Sequence, residues 1–107
     1  MMLISNGAVS RHNARGTLLG AFANLDYGEV DLVLFPGDRA VLYTDGLVEG
    51  KESEGYETGV ERLSKILVQS SVLPLRQWVD NTLDHATAQV GALNLSDDIT
   101  LVALEVL

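Results

Sequence analysis

The chain has 107 residues, enough for one domain or part of one, and a second domain is excluded. Fifteen acidic against seven basic residues give a formal net charge of −8, which repels nucleic acid backbones and anionic lipids, so we expect no nucleic acid partner and no membrane contact. The absence of cysteine excludes disulfides and thiolate metal sites, and the first residues lack the features of a signal peptide. We therefore expect a cytoplasmic protein.

Short apolar stretches in the first third of the chain predict strands. Residues 3–9, LISNGAV, place Asn-Gly between two apolar pairs, which is typical of a tight hairpin. Apolar and polar residues alternate over residues 27–35, which predicts a strand with one more apolar, more buried face. Pro36-Gly37 should then form a type II turn, from which the strand 39–44 returns antiparallel. Because residues 40–43 are apolar on both faces, that strand is expected in the middle of a sheet.

Two helices and a last strand are expected in the second half. Thr58 and Glu61 have the spacing of a capping box, which predicts a helix beginning at Thr58 and ending near residues 70–71. Pro74 suits the first turn of a second helix, for which Gly91 is the expected end. The run 99–107 is apolar on both faces and is expected to be another central strand. The sequence therefore predicts the α+β class, an antiparallel β-sheet with two helices packed on one face.

Three carboxylates lie where predicted strands meet loops. Asp45 follows the strand 39–44, and Asp97 and Asp98 precede the strand 99–107. If these strands pair antiparallel, the three residues share one edge of the sheet, where clustered carboxylates suit Mg²⁺ or Mn²⁺. Asp-Gly is also a common turn dipeptide, and paired aspartates before a strand are often only a solvated loop. The residues alone leave both interpretations open.

Other candidate groups indicate no chemistry. Glutamates at 49, 52, 54 and 57 form an acidic loop without the ligand alternation of a calcium site, so a solvated surface is expected. His12 and His85 match no metal-ligand spacing and are expected on the surface. Trp78 falls on the apolar stripe of its helix and is expected in the core. No serine has a nucleophile-elbow context, which argues against a serine hydrolase.

The order of four motifs resembles a known family. LLGAF, FPGDRAVLYTDGLVEG, GYETGVERL and DDITLVALEV are similar to the C-terminal half of the SpoIIE/RsbU-like branch of the metal-dependent (PPM) protein serine/threonine phosphatases. The resemblance covers residues 1–107 as a partial phosphatase domain. It implies half of an αββα sandwich, which in the intact family holds two Mn²⁺ or Mg²⁺ ions.

The resemblance also implies roles for individual residues. Asp45 and Asp97 correspond to metal ligands that act catalytically through the bound metal, and Asp98 to a neighbour that orients the metal site. The metals would activate water for attack on a phosphoserine or phosphothreonine, so no protein nucleophile is needed. The implied substrate is a phosphorylated regulatory protein, such as an anti-sigma-factor antagonist.

The departures from the family pattern matter for the site. An aromatic residue usually precedes the glycine at position 59, whereas here Thr58 does and Tyr56 lies two places earlier, so that contact is expected to repack. The family's Asp-x-x-Gly-His-Gly segment, which carries the aspartate that bridges both metals, is absent from the 107 residues. We therefore expect metal to bind weakly or not at all, and phosphatase activity of this chain alone to be negligible.

The missing segment leaves two functional hypotheses and one alternative without a specific function. The chain is either a phosphatase fragment or a non-catalytic binding or dimerisation module built on the same scaffold. Open strand edges and an apolar sheet face would favour a homo-oligomer or association with a missing N-terminal half-domain. The plain alternative is a small α+β domain with acidic turns.

Overall fold

The predicted α+β class is confirmed. The computed structural model describes residues 1–14, 16, 20–49, 55–90 and 98–107, with backbone alone at 89 and 90. The strands of these residues form one antiparallel sheet in the order β2-β1-β3-β4, and both helices pack on one face of it. In chain order the elements are β1 (Met2–Ser5), β2 (Ala8–Arg11), β3 (Arg39–Tyr43), a 3₁₀ turn (Asp45–Leu47), α1 (Tyr56–Gln69), α2 (Leu75–Val90) and β4 (Leu101–Glu105).

The hairpin predicted for residues 3–9 is present as β1 and β2. Asn6 and Gly7 connect the strands with φ of 49° and 75°. Positive φ at both central residues is what a type I′ turn requires, and asparagine and glycine are the residues that adopt it most readily. The Asn-Gly signal therefore fixes the register of the first strand pair.

The strand predicted for residues 27–35 is wrong. This segment lies outside the sheet, and most of its side chains are exposed. The physical reason is that both edges of β3 are occupied, because Met2 of β1 pairs with Val41 on one side and Ala103 of β4 pairs with Val41 on the other. An alternating pattern gives the faces of an extended segment but does not identify the strand it pairs with.

The predicted turn before β3 forms, and it also ties this end of β3 to β1. Gly37 has φ of 91°, and the Asp38 amide donates to the Phe35 carbonyl at 3.0 Å. The Asp38 carboxylate accepts the Phe35 amide at 2.9 Å. Hydrogen bonds from the Ser5 hydroxyl and then from the Phe35 amide lower the pKa of Asp38 below its ordinary value.

The last strand, β4, is an edge strand of the described sheet and is not central as predicted. Its only neighbour among the described strands is β3, because residues 27–35 do not extend the sheet beyond it. The apolar residues on its second face therefore remain open. Leu42, Val102 and Leu104 are 45%, 50% and 54% exposed on the sheet face opposite the helices, which we call the outer face.

The core lies between the helices and the other sheet face. The predicted burial of Trp78 is confirmed, since its ring is fully buried and its Nε1 donates to the Leu67 carbonyl at 2.9 Å. The buried core residues that surround it come from the sheet, the 3₁₀ turn and both helices: Met2, Ile4, Val41, Leu47, Val48, Val60, Leu63, Leu67 and Ala86. These apolar contacts supply most of the driving force that holds the layers together.

A buried arginine joins the sheet to the loop between the helices. Arg39 donates from Nε and Nη2 to Glu105 Oε1 at 3.1 and 2.9 Å, and from Nη1 to the Ser71 carbonyl at 3.2 Å. Its guanidinium carbon lies 5.0 Å from the centre of the Trp78 ring, within cation–π range. The charge is thus compensated and hydrogen-bonded where it is buried, as a buried ion pair requires.

The start of α1 differs from the one predicted, whereas its end at Gln69, with Ser70 as the C-cap, agrees with the predicted end near residues 70–71. The predicted capping box at Thr58 is wrong, because α1 begins at Tyr56 and the amides of Thr58 and Gly59 donate to the Gly55 carbonyl at 3.1 and 3.3 Å. Thr58 therefore lies inside the first turn. Pro74 precedes α2 and its carbonyl accepts the Trp78 amide at 2.9 Å. The predicted end at Gly91 lies outside the described residues.

The first turn of α1 lies directly against the end of the 3₁₀ turn. Gly59 is buried, and a Cβ built on it would overlap the Val48 carbonyl oxygen. A glycine in a helix costs about 1 kcal/mol relative to alanine, so this position gives up helix stability for a close backbone approach. The contact holds the start of α1 beside Val48, the residue that follows the 3₁₀ turn.

Gly59→Ala tests this contact. We expect the substitution to lower the free energy of unfolding by at least about 2 kcal/mol, because the methyl group forces the two backbones apart. Gly55→Ala is the matched control, since a Cβ there meets nothing within 4 Å. Because Gly55 is the N-cap of α1, where glycine is preferred to alanine, its effect should stay below about 1 kcal/mol. Urea denaturation of both variants measures the difference, and equal effects would contradict the close approach.

The pairing of β3 with β4 continues past the strands through Thr44. The Thr44 amide donates to the Thr100 carbonyl at 3.1 Å, and Thr44 Oγ1 accepts the Thr100 amide at 2.9 Å. The same hydroxyl donates to the Asp98 carbonyl at 3.2 Å. The side chain of Thr44 therefore fixes the backbone of residues 98–100 next to itself, one residue before Asp45.

Thr44→Val keeps the shape of the side chain and removes its hydroxyl. Loss of one hydrogen bond of about 1 kcal/mol should make hydrogen exchange at the Thr100 amide about fivefold faster. Thr100→Val is the matched control, because it leaves both the Thr44 hydroxyl and the residue 100 amide in place, and protection of that amide should persist. Unchanged protection in Thr44→Val would show that the hydroxyl does not hold this edge.

Candidate functional site

Asp45 begins the 3₁₀ turn at the end of β3, and its backbone forms that turn. Its carbonyl accepts the amides of Val48 and Glu49 at 3.0 and 2.9 Å. The turn is closed by these backbone bonds and by the Thr44 carbonyl, which accepts the Leu47 amide at 3.0 Å. Asp45 is thus a turn residue through its main chain, and its carboxylate is left for another role.

The Asp45 carboxylate meets a tyrosine from the first turn of α1. The Tyr56 hydroxyl donates to Asp45 Oδ1 at 3.4 Å, a long bond between two exposed residues. Desolvation raises the pKa of Tyr56, and the charge of Asp45 and the hydrogen bond to it raise this pKa further. Tyr56 therefore remains a neutral donor to the carboxylate at physiological pH.

Polar groups from β2, β3 and α1 surround this pair. Tyr43 lies close to Tyr56, and desolvation is the main cause that raises the pKa of Tyr43. Arg11 Nη1 donates to Glu57 Oε2 at 2.9 Å. This hydrogen bond is the main cause that raises the pKa of Arg11. The end of β2 is thereby joined to the first turn of α1, next to Tyr56.

Of the other two predicted site residues, the structure describes only Asp98. The antiparallel pairing of β3 with β4 places the backbone of Asp98 beside Thr44, the residue before Asp45, because the Asp98 carbonyl accepts the Thr44 hydroxyl. Asp98 is exposed and makes polar interactions of its own. Asp97 lies outside the described residues, so its predicted place at this edge stays a prediction.

The described residues fit part of a cation site. Carboxylate oxygens at an exposed edge have the hard donor chemistry that Mg²⁺ and Mn²⁺ prefer. However, the residues of the described ranges contain no group of three or more histidine, cysteine, aspartate or glutamate side chains that could hold a metal ion. The fit is therefore in donor chemistry and position, and a complete ligand set would need further groups.

The remaining candidates lie outside this edge or make local contacts. His12 Nε2 lies 2.8 Å from Ser10 Oγ, and His85 Nδ1 lies 2.8 Å from the Asn81 carbonyl oxygen. Of the acidic loop, Glu49 is exposed and Glu57 pairs with Arg11, and positions 52 and 54 lie outside the described residues. In the part of the chain described, no helix is long and apolar enough to cross a membrane.

Sequence reasoning missed the part that Tyr56 and Thr44 play. Tyr56 lies on a different element from Asp45, and no local pattern links the two positions. The one available signal was the shifted aromatic residue before Gly59, which predicted a repacked contact without naming its partner. Thr44 gave no signal, because a threonine at a strand end usually has only a packing role.

Comparisons with known proteins identify the family. The family described as Stage II sporulation protein E (SpoIIE) matches residues 1–107. The phosphoserine phosphatase RsbU of Bacillus subtilis (strain 168) is 31% identical over 93 residues, which cover 85% of this chain and 27% of the relative. The chain therefore spans about a quarter of the length of that curated relative.

A solved structure shares the fold. The phosphatase domain of the cell fate determinant SpoIIE from Bacillus subtilis, presoaked with Mn, has a TM-score of 0.65 and 17% sequence identity to this chain. The match covers 98% of this chain and 45% of that domain, so the elements described above correspond to less than half of the solved one. The chain belongs to the SpoIIE family, in the SpoIIE/RsbU-like branch of the PPM phosphatases.

Proposed function

We propose that the chain is part of a metal-dependent phosphoserine or phosphothreonine protein phosphatase. The observation that carries the proposal is the open edge at the end of β3. Asp45 is exposed there, and Thr44 fixes the backbone of Asp98 beside it. The relative RsbU is a phosphoserine phosphatase, which supports the same chemistry.

The proposed ligands are Asp45 and Asp97, with Asp98 as the neighbour that orients them. A divalent cation, Mn²⁺ or Mg²⁺, would supply Lewis-acid activation of water and charge neutralisation for a phosphate ester. The chain itself contributes carboxylate oxygens at an exposed edge, held by the 3₁₀ turn and by the Thr44 hydrogen bonds. Asp45 and Asp97 would act on the substrate only through the bound cation.

The site is proposed to be incomplete in this chain. The described residues supply no group of three metal-ligating side chains, and the chain lacks the Asp-x-x-Gly-His-Gly segment. Metal affinity should therefore be low, and catalysis should need the rest of a phosphatase domain. The substrate class that we propose for the complete domain is a phosphorylated regulatory protein, such as an anti-sigma-factor antagonist, in the cytoplasm.

A comparison of two Asp→Asn variants tests the ligand role. We expect Asp45→Asn to weaken Mn²⁺ binding, measured by calorimetry, by at least about tenfold. Asp31→Asn changes the same charge at another exposed aspartate and should leave the affinity unchanged. Equal effects of the two substitutions would mean that Mn²⁺ responds only to the general negative charge.

The wild-type chain and Asp45→Asn also test whether catalysis needs the rest of a phosphatase domain. Wild-type chain with Mn²⁺ should show no hydrolysis of a phosphoserine peptide above the buffer rate. If coding sequence directly upstream supplies Asp-x-x-Gly-His-Gly, expression of both parts together should restore turnover that Asp45→Asn abolishes. Turnover by the 107-residue chain alone, lost in Asp45→Asn, would overturn the proposed incompleteness.

A non-catalytic binding or dimerisation module is the second candidate function. The exposed outer face favours it, because an apolar sheet face of this kind marks a surface that other protein covers. A second copy of this chain, or the remaining half of a phosphatase domain, would bury Leu42, Val102 and Leu104. Failure of the upstream part to restore turnover would favour this module over the enzyme.

We expect the chain alone to self-associate through the outer face. Light scattering at micromolar concentration should show a dimer or larger species, and Val102→Thr should shift it towards monomer by making the outer face more polar. Val72→Thr is the matched control, because Val72 is 90% exposed in the loop between the helices and is not part of the outer face. A clean monomer of the wild-type chain would contradict association through this face.

A further inference from the structure

We propose that Tyr56 is a positioning residue, whose hydroxyl orients the Asp45 carboxylate for cation binding and so makes the first turn of α1 part of the metal site. The inference rests on the proposed function, because it assigns a role within that same site. It adds a residue from another element that is not one of the proposed ligands.

The first support is the contact itself. The Tyr56 hydroxyl lies 3.4 Å from Asp45 Oδ1, across the gap between α1 and the 3₁₀ turn. Asp45 cannot be oriented by its own turn, because the bonds that close this turn run between backbone groups. Within the part of the chain that the structure describes, Tyr56 thus contacts the side chain of Asp45, whereas the turn holds its main chain.

The second support is that Tyr56 is itself held in place. Gly59 packs against the Val48 carbonyl three residues after Tyr56, which fixes the distance between the first turn of α1 and the 3₁₀ turn. Arg11 of β2 donates to Glu57 at 2.9 Å, next to Tyr56 in the chain. Tyr43 of β3 lies beside the phenol of Tyr56. A positioning group is effective when its own place is determined in this way.

A phenol suits the orientation of a metal-binding carboxylate better than a positively charged side chain does. A lysine or arginine beside Asp45 would neutralise the carboxylate and compete with a metal ion, whereas a neutral hydroxyl leaves its charge intact. The bond engages one lone pair of Oδ1, so the carboxylate keeps lone pairs that could bind a cation. The nearby guanidinium of Arg11 is paired with Glu57 and does not take the place of the metal.

A pair of Tyr→Phe variants tests the proposal in the metal-free protein. Tyr56→Phe keeps the ring and removes the hydroxyl, and Tyr27→Phe makes the same change in the segment outside the sheet, where the Tyr27 ring packs at Gly16. Three-bond couplings measured by NMR report the χ1 rotamer of Asp45. We expect one dominant rotamer in wild type and in Tyr27→Phe, and averaging in Tyr56→Phe.

Calorimetric titration with Mn²⁺ provides the second measurement on the same three proteins. Tyr56→Phe should weaken binding by about tenfold, the lower end of the effect of groups that orient metal ligands, and Tyr27→Phe should not change it. Far-UV circular dichroism checks that all three proteins are folded. Mn²⁺ binding that is unchanged in Tyr56→Phe would overturn the role in cation binding.

The two measurements separate this inference from the proposed function. If wild type binds no Mn²⁺, the ligand role of Asp45 in this chain fails, and the NMR comparison still decides whether Tyr56 orients its carboxylate. If the Asp45 rotamer is equally defined in wild type and in Tyr56→Phe, the positioning role is overturned whatever the metal affinity. Averaging of the Asp45 rotamer in Tyr56→Phe, together with weaker Mn²⁺ binding, supports both the positioning role of Tyr56 and the ligand role of Asp45.

Discussion

The close approach of Gly59 to the Val48 carbonyl is the constraint on which the candidate site depends. A helix that starts against a turn at backbone contact distance has little freedom to shift, because any side chain at the contact would separate the two. The first turn of α1 thus lies beside the end of β3, and Tyr56 comes within reach of Asp45. Glycine here is needed for the short distance between two elements, and its cost to the helix is offset by that packing.

The two ends of β3 differ in how charge is handled. At its start, Arg39 is buried, paired with Glu105 and stacked on Trp78, so this end is closed and electrostatically complete. At its end, Asp45 is exposed and takes a neutral phenol. A ligand can reach the exposed charge at the Asp45 end, whereas the charge at the Arg39 end is buried and already paired. This contrast supports a site at Asp45 and a structural role for Arg39.

Short-range signals in the sequence predicted local structure well and long-range pairing poorly. The Asn6-Gly7 hairpin, the turn at Gly37 and the buried stripe around Trp78 follow from φ preferences and helical periodicity, which act within a few residues. The segment 27–35 and the central place expected for β4 were wrong, because strand partners are chosen by the whole sheet. The site was only partly predictable for the same reason. Asp45 lies in a motif, but the Tyr56 contact exists only after α1 has packed against the 3₁₀ turn.

The position of β3 between β1 and β4 also bears on how the protein folds. The neighbours of β3 come from opposite ends of the chain, separated from it by a long segment on one side and by two helices on the other. Closing such loops costs entropy before pairing returns any energy, so high contact order slows a sheet of this kind, whereas α1 and α2 can pair locally. The backbone of residues 98–100 meets Thr44 only once β4 has docked. We therefore expect the edge with Asp45 to be completed after the helices have paired, because it needs β4 in place.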